Sequence, residues 1–294
     1  MTDAPAIEID RALGFILSDR HARGRFVRLG PALETILSAH GYPPIIERLL
    51  IEALTITALL GAMLKDSAGQ LTMQAQTEGG PVSLMVCDYR GGELRGYVKH
   101  DPDRLAGLPL DPPLPALFGK GYLAITFDQA VSGERYQGIV PLEGDRLCDA
   151  VENYFCQSEQ IPSLVRFGLK GDVSGGLLLQ HLAEGEEGRE RLHTRLDHPE
   201  WEHVQIMASS IQTDELTDPE LPLETLVWRL FHDEGEIRVL DGIPLSRGCR
   251  CDPDHIRDVI MRFPDEERAE MADESGTVTV DCEFCARAFK VEIR

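Results

Sequence analysis

Four cysteines near the C-terminal end are the residues whose type and spacing most constrain the chemistry of this chain. Cys249 and Cys251 form a CRC sequence, and thirty residues later Cys282 and Cys285 form a CEFC sequence. Four thiolates that converge on one point make a tetrahedral set of soft ligands, which suits Zn²⁺. Without a metal, the same four thiols are able to form two disulfides. The spacing therefore predicts a zinc site, with one Zn²⁺ per chain in the reduced state, whose ligands also respond to oxidants.

Such a site could be a permanent structural element or a switch. A module of this size often needs a metal because its hydrophobic core is small. Two features favour a switch. One pair is CxC rather than CxxC, and a disulfide closed in so tight a ring is strained and easily reduced. An amphipathic segment also lies directly upstream. Structural zinc contributes on the order of 10–16 kcal/mol to folding, whereas a whole small domain is stable by about 5–15 kcal/mol, so loss of the metal is expected to unfold the module.

The pattern upstream predicts an α+β core domain over residues 1–183, built on a mixed or antiparallel sheet. Runs of strands are punctuated by helices, which is not the alternation of a doubly wound fold. A short strand at 26–30 precedes a helix that begins at Pro31, and a long helix follows from Pro44 to near Lys65. The glycine-rich stretch 168–176 lacks a phosphate-loop ending and is predicted to be a turn. Further strands are predicted at 71–77, 81–89, 93–99, 121–127, 135–142 and 163–169, with a helix at 145–156.

Residues 184–240 are predicted to be an acidic helical linker. Between 184 and 224 there are 12 acidic and 3 basic residues. Apolar residues at helical spacing predict helices at 198–212 and at Leu223–Phe231. Because isolated helices of this length are marginal in water, we expect both to pack against a partner surface.

Residues 241–294 are predicted to be a small α+β zinc module. Asp252 followed by Pro253 is typical of a helix N-terminus, so a helix is expected directly after Cys251. Strands are expected at 277–280 and 288–293, which places the CEFC sequence on the turn of a hairpin.

Composition bears on the partners and the location of the chain. Its formal net charge is −21, which opposes binding to nucleic-acid phosphate or to an anionic membrane. The N-terminus does not resemble a signal peptide, and the longest apolar stretch is short and contains Glu52. We therefore expect a cytoplasmic protein without structural disulfides. Cys87, Cys148 and Cys156 lie on apolar-patterned elements and are predicted to be buried, unreactive thiols.

We find no catalytic constellation, which argues against an enzyme. There is no HExxH, G-x-S-x-G or phosphate-loop motif, and His198 and His203 are expected to be exposed to solvent. Two alternatives remain open. One is a zinc-dependent nucleic-acid binder, although the module contains 13 acidic and 8 basic residues. The other is a thiol-disulfide oxidoreductase, which would leave the CRC pair unexplained.

The cysteine pattern resembles that of the redox-regulated thirty-three-kilodalton heat-shock chaperonin family, and the likeness extends over essentially the whole chain. The segments that carry it, besides CRC and CEFC, are 24–28 (GRFVR), 154–162 (YFCQSEQIP), 175–180 (GGLLLQ) and 228–232 (WRLFH).

The resemblance implies an ATP-independent holdase that binds unfolding client proteins. The reduced form would hold zinc through the four cysteines and be inactive. Under oxidation Cys249 would pair with Cys251 and Cys282 with Cys285, zinc would leave, and the module and linker would unfold, exposing apolar surface. The active form would be a homodimer. The chain departs from the family in its Arg250 and in the Asp252-Pro253-Asp254 sequence that follows; Arg250 is expected to lower the neighbouring thiol pKa values and speed oxidation.

Overall fold

The structure is a computed structural model that describes residues 9–64, 67–130, 133–182 and 198–293. The first part of the predicted linker, 184–197, lies outside the described residues. Among those described, no helix is both long enough and apolar enough to cross a membrane.

The described residues form fourteen strands. In chain order these are β1 Arg11–Leu17, β2 Ala22–Leu29, β3 Gln70–Gly79, β4 Val82–Arg90, β5 Glu93–His100, β6 Gly119–Asp128, β7 Arg135–Pro141, β8 Ser163–Lys170, β9 Val173–His181, β10 Ile237–Val239, β11 Ile243–Pro244, β12 Ser246–Arg247, β13 Thr277–Asp281 and β14 Ala288–Glu292.

The described residues also form ten α-helices, together with a 3-10 turn at Ser18–Arg20 and a π-helical turn at Phe155–Glu159. In chain order the helices are α1 Pro31–Leu37, α2 Pro44–Gly61, α3 Pro102–Leu105, α4 Leu114–Phe118, α5 Leu147–Tyr154, α6 Pro199–Ser209, α7 Thr213–Thr217, α8 Leu223–Phe231, α9 Pro253–Ile260 and α10 Asp265–Met271.

The strands form two large sheets and one hairpin. In the first sheet the order is β10-β1-β2-β9-β8, with β11 also paired to β1; in the second it is β12-β5-β4-β3-β6-β7; β13 pairs with β14. The pairings are antiparallel except that β12 runs parallel to β5. The predicted α+β class with mixed and antiparallel sheets is confirmed.

Helix α2 lies between the two sheets, because it packs against β2 and β9 of the first and β3, β4 and β5 of the second. Residues on nearly every side of this helix are buried. The long apolar stretch in the sequence is therefore explained by a helix in the protein core. Thr55 bonds to Ile51 O and to Ser174 Oγ at 2.8 and 2.7 Å, so its buried hydroxyl is satisfied. The helix ends at Gly61, and close packing requires glycine there because a Cβ would stand 2.1 Å from the Tyr89 ring.

Helices α6, α7 and α8 cover the opposite face of the first sheet. Trp201, Val204 and Phe231 are buried against strand residues that include Phe15 and Phe26. The Phe15 ring lies 5.6 Å from that of Phe26 and 5.5 Å from that of Phe231. The expectation that the two linker helices need a partner surface is therefore confirmed, and the surface is the outer face of β1, β2, β8 and β9.

Some sequence expectations were wrong. Residues 168–176, predicted to be a turn, belong to β8 and β9, and only the short connection at Gly171 and Asp172 reverses the chain. Strands β1, β9, β10, β11 and β12 were not predicted. The last three have only two or three residues each, too few for an alternation to be visible.

Candidate metal centre and its contact with the core

Local structure brings each cysteine pair to the same place. Asp252 accepts hydrogen bonds from the backbone N–H groups of Asp254 and His255 at 2.9 and 3.3 Å, so α9 begins directly after Cys251 as predicted. Strands β13 and β14 form the predicted hairpin, and Cys285 N–H donates to Cys282 O at 3.2 Å within its turn. A left-handed residue, Ala286, with φ of 53°, returns the chain to β14.

The four sulfur atoms converge, with every pair within 4.8 Å. Cys249 Sγ lies 2.9 Å from Cys251 Sγ and 3.7 Å from Cys282 Sγ, and Cys251 Sγ lies 3.2 and 3.5 Å from Cys282 Sγ and Cys285 Sγ. A tetrahedral zinc–thiolate site with bonds of about 2.3 Å has sulfur–sulfur edges of about 3.8 Å. The four cysteines are thus able to hold a metal ion of this kind after small adjustments, and all four are only partly exposed.

The thiols differ in acidity. Burial, aided by hydrogen bonding among the sulfurs, raises the pKa of Cys251, and burial also raises the pKa of Cys249. Burial works against ionisation of Cys285 as well, but hydrogen bonds from Arg287 N–H and the other sulfurs lower the pKa of Cys285 to about 7. The surroundings therefore favour the thiolate form of Cys285, and a bound cation would favour the thiolate form of the other cysteines as well.

The residues inside the CEFC sequence contact the outer face of β5. The Arg95 guanidinium lies 4.0 Å from the centre of the Phe284 ring, and Tyr97 meets the same ring edge-on at 4.9 Å and 88°. Glu283 forms an ion pair with Lys99 at 2.8 Å. Because Arg95, Tyr97 and Lys99 alternate along one strand, they all face the metal module.

The residue inside the CRC sequence contacts the same surface. Arg250 Nη2 lies 3.4 Å from Asp88 Oδ2, and Arg95 donates to the same oxygen at 2.6 Å. The Asp88 side chain is only 4% exposed, so this carboxylate is shared by two guanidinium groups in a shielded position. The predicted lowering of the neighbouring thiol pKa values by Arg250 is not found, since its charge is directed to Asp88 and the pKa values of Cys249 and Cys251 are raised.

The other cysteines lie apart from this centre. Cys87 and Cys148 are buried as predicted, and burial raises the pKa of each. The prediction was wrong for Cys156, which is exposed because the adjacent Phe155 takes the position facing the core in the π-helical turn. His203 is exposed as predicted, but His198 is half-buried, with its ring 5.0 Å from that of His181.

Arg28 was not singled out from the sequence as a residue with a role of its own. Its side chain is 1% exposed and donates to Leu216 O, Leu221 O and Glu215 O at 2.9, 2.7 and 3.1 Å. These carbonyls belong to α7 and to the loop that leads to α8. The only signal in the sequence was an arginine inside the predicted strand 26–30, and its partners are nearly two hundred residues away in the chain.

Comparison with known proteins agrees with this architecture. The profile of a family described as "Hsp33 protein" matches residues 10–292. The chain belongs to the Hsp33 family. Among curated relatives, the 33 kDa chaperonin of Caulobacter vibrioides is 39% identical, covering 96% of this chain and 95% of its own. The 33 kDa chaperonins of Shewanella frigidimarina and Yersinia pestis are 34% and 32% identical, each covering 95% of this chain and 91% of its own.

An Hsp33 structure shows the same fold. The crystal structure of the 33 kDa chaperonin (heat shock protein 33 homolog) of Thermotoga maritima aligns with a TM-score of 0.76 at 20% identity, covering 96% of this chain and 95% of that one. The Hsp33 fold is therefore present over nearly the whole chain. The family resemblance carried by the cysteine pattern and the other motifs is confirmed.

Proposed function

We propose that this chain is a redox-regulated, ATP-independent holdase in which Zn²⁺ bound by Cys249, Cys251, Cys282 and Cys285 keeps the chaperone inactive. A bound zinc ion would hold the sulfurs as thiolates and stabilise the fold of the module around them. The observation that carries the proposal is that the residues between the ligands contact the core: loops held by the metal also hold the module against β4 and β5.

Oxidation would convert the four thiolates into two disulfides, Cys249–Cys251 and Cys282–Cys285. Each disulfide forms when two thiolates give one electron pair to a peroxide, which takes up two protons and leaves as two waters. The distance of 2.9 Å between Cys249 Sγ and Cys251 Sγ supports the first pairing. The second rests on the family resemblance. Disulfide sulfurs are poor ligands for zinc, so the ion would be released.

Release would unfold the module, because little else stabilises it. Its apolar cluster contains only Ile260, Val278 and Val291 as buried members. In the part of the chain that the structure describes, α6, α7 and α8 come after β9, and the next strand, β10, pairs with β1. We propose the divisions 1–183, 184–240 and 241–294 for core, linker and module. Unfolding of the module and linker would expose the apolar face that α6 and α8 now cover, for binding to unfolding client proteins.

We further propose that the active form is a homodimer in the cytoplasm and that the acidic chain binds neither nucleic acid nor membranes. The net charge of −21 supports the last two points. It also supports solubility when apolar surface is exposed.

The test combines light scattering from a heat-denatured client with zinc release measured by a chromogenic chelator. Peroxide with mild heat is expected to release one zinc per chain and to suppress aggregation, and dithiothreitol with zinc to reverse both. Cys282→Ser is expected to lack tightly bound zinc and to act without oxidant. Cys156→Ser, which removes an exposed thiol outside the cluster, is the matched control and should switch normally. A metal-free Cys282→Ser protein that still needs oxidant would refute metal loss as the trigger.

A second candidate, a thiol-disulfide oxidoreductase, is favoured by one observation: the pKa of Cys285 is lowered to about 7. It predicts catalytic turnover of a dithiol or disulfide substrate that is lost in Cys285→Ser. Stoichiometric oxidation without turnover would exclude it and leave the holdase.

A further inference from the structure

A second group of metal-ligating side chains lies at the start of α6, on the face of the first sheet that is opposite to α2. His181, His198 and Glu200 each place one ligand atom within 4.8 Å of the others. His181 is the last residue of β9 and is 3% exposed; His198 and Glu200 are half-buried. The rings of His181 and His198 are 5.0 Å apart, and Trp201 closes the group, 5.9 Å from the His181 ring.

The carboxylate of Glu200 is short of partners at this place. Its Oε2 is buried and has no hydrogen-bond partner among the described residues. The pKa of Arg20 is raised chiefly by its hydrogen bond to Glu234 at 2.6 Å, and the charge of Glu200 adds only a smaller part. Buried carboxylate oxygens are normally hydrogen-bonded or bound to a cation. Since no hydrogen bond from the described residues reaches this oxygen, it is a candidate ligand for a cation.

His198 is the residue that caps the N-terminus of α6, and its ring lies at the same place. Its Nδ1 accepts a hydrogen bond from the Glu200 backbone N–H, and at 3.3 Å this bond is long. The backbone of His181 is fixed independently of the side chain, because its N–H donates to Pro162 O at 3.0 Å. An ion coordinated through Nδ1 of His198 would replace this long hydrogen bond, whereas the backbone elements that carry both residues would stay in place.

We propose that His181, His198 and Glu200 form a binding site for a divalent transition-metal ion of the zinc class, separate from the four-cysteine centre. Two imidazoles and one carboxylate are a ligand set that binds Zn²⁺ or Co²⁺ and leaves a coordination position for water. An ion here joins the end of β9 to the first turn of α6, and so links the core sheet to the first linker helix directly. This goes beyond the proposed redox switch and does not depend on it.

The experiment is a titration of thiol-reduced, metal-free full-length protein with Co²⁺. Cobalt at the four-cysteine centre shows intense sulfur-to-metal charge-transfer absorption, whereas cobalt held by nitrogen and oxygen does not. We expect two equivalents to bind per chain, with the charge-transfer absorption complete after one. Glu200→Gln, which preserves the size of the side chain, is expected to weaken the equivalent that lacks charge transfer by at least about tenfold, since even the loss of an outer partner of a ligand lowers affinity by about 10–100-fold.

His181→Ala should remove the same equivalent, and far-UV circular dichroism establishes whether each variant is folded. The matched control is His232→Ala, which removes an exposed histidine at the C-terminal end of α8. This variant should bind both equivalents of cobalt. A wild-type protein that binds only one equivalent, or a second equivalent that Glu200→Gln binds as tightly as the wild type, would overturn the proposal.

Discussion

Replacement of Phe284 by alanine tests whether contact with the core protects the metal centre. Phe284 lies between the two CEFC cysteines but contributes no ligand. Its ring contacts Arg95 at 4.0 Å and Tyr97 at 4.9 Å, both on β5. The substitution therefore removes the main aromatic contact between module and core and leaves all four sulfurs in the chain.

The size of the effect follows from those two contacts. A cation–π contact near the surface contributes about 0.5–1 kcal/mol, and an edge-to-face aromatic pair contributes about 0.5–1.5 kcal/mol beyond area burial. Phe284→Ala should thus weaken docking of the module by about 1–2.5 kcal/mol. In an equilibrium between docked and undocked modules, this increases the undocked fraction by roughly 5–70-fold.

The assay is the rate of zinc release on addition of peroxide, followed with a chromogenic chelator in the reduced, zinc-loaded protein. If oxidant reaches the sulfurs mainly in the undocked module, the rate should rise by the same factor. Phe263→Ala is the matched control, because Phe263 is an exposed aromatic residue of the same module. Equal release rates in Phe284→Ala and the wild type would refute the idea that docking controls access to the thiolates.

Three further substitutions follow from the same contacts. Asp88→Asn leaves Arg95 and Arg250 without their shared carboxylate. The free energy of unfolding, measured in urea, should fall by about 2 kcal/mol, which is less than the loss expected for a fully buried ion pair. An unchanged free energy would mean that water solvates these ion pairs. Arg28→Ala leaves three linker carbonyls without their donor and should destabilise by about 3 kcal/mol or more, with faster amide exchange in α7; unchanged exchange there would contradict the role given to its hydrogen bonds. The hydrogen bond from Arg48 lowers the pKa of Asp111 from 3.8, so the contribution of Asp111 to stability is present above pH 3.8 and lost as the pH falls below it. Asp111→Asn should therefore make the free energy of unfolding less sensitive to acid. If the variant and the wild type show the same dependence of unfolding free energy on pH, the assignment is refuted.

Local signals in the sequence were sufficient for much of the metal module. Asp252 and Pro253 marked the start of α9, and the CEFC sequence falls on the hairpin turn as expected. Convergence of the sulfurs followed from ligand chemistry alone. In each case the determining interactions lie within a few residues along the chain, where spacing is informative.

Features that depend on distant packing were not predictable in this way. The glycines of β9 suggested a turn, but they are required by close approach on both sides of the sheet. A Cβ on Gly175 would stand 2.3 Å from Leu216 O, and one on Gly176 would stand 2.9 Å from Leu59 Cδ1. Likewise, nothing in the spacing of Arg250 and Phe284 shows that β4 and β5 supply their partners.

The same two loops hold the metal ligands and the docking residues, so metal binding and docking must be coupled in both directions. By thermodynamic linkage, if docking tightens zinc binding by a given factor, zinc tightens docking by the same factor. We therefore expect Phe284→Ala to lower the zinc affinity of the reduced protein, measured by competition with a chelator. Docking can be followed independently through the exposure of Tyr97 to solvent, with and without zinc. Phe263→Ala should change neither quantity. If Phe284→Ala leaves the zinc affinity unchanged and zinc removal leaves the exposure of Tyr97 unchanged, zinc binding and docking of the module are independent. Oxidation of the module would then have no effect on the core through this surface.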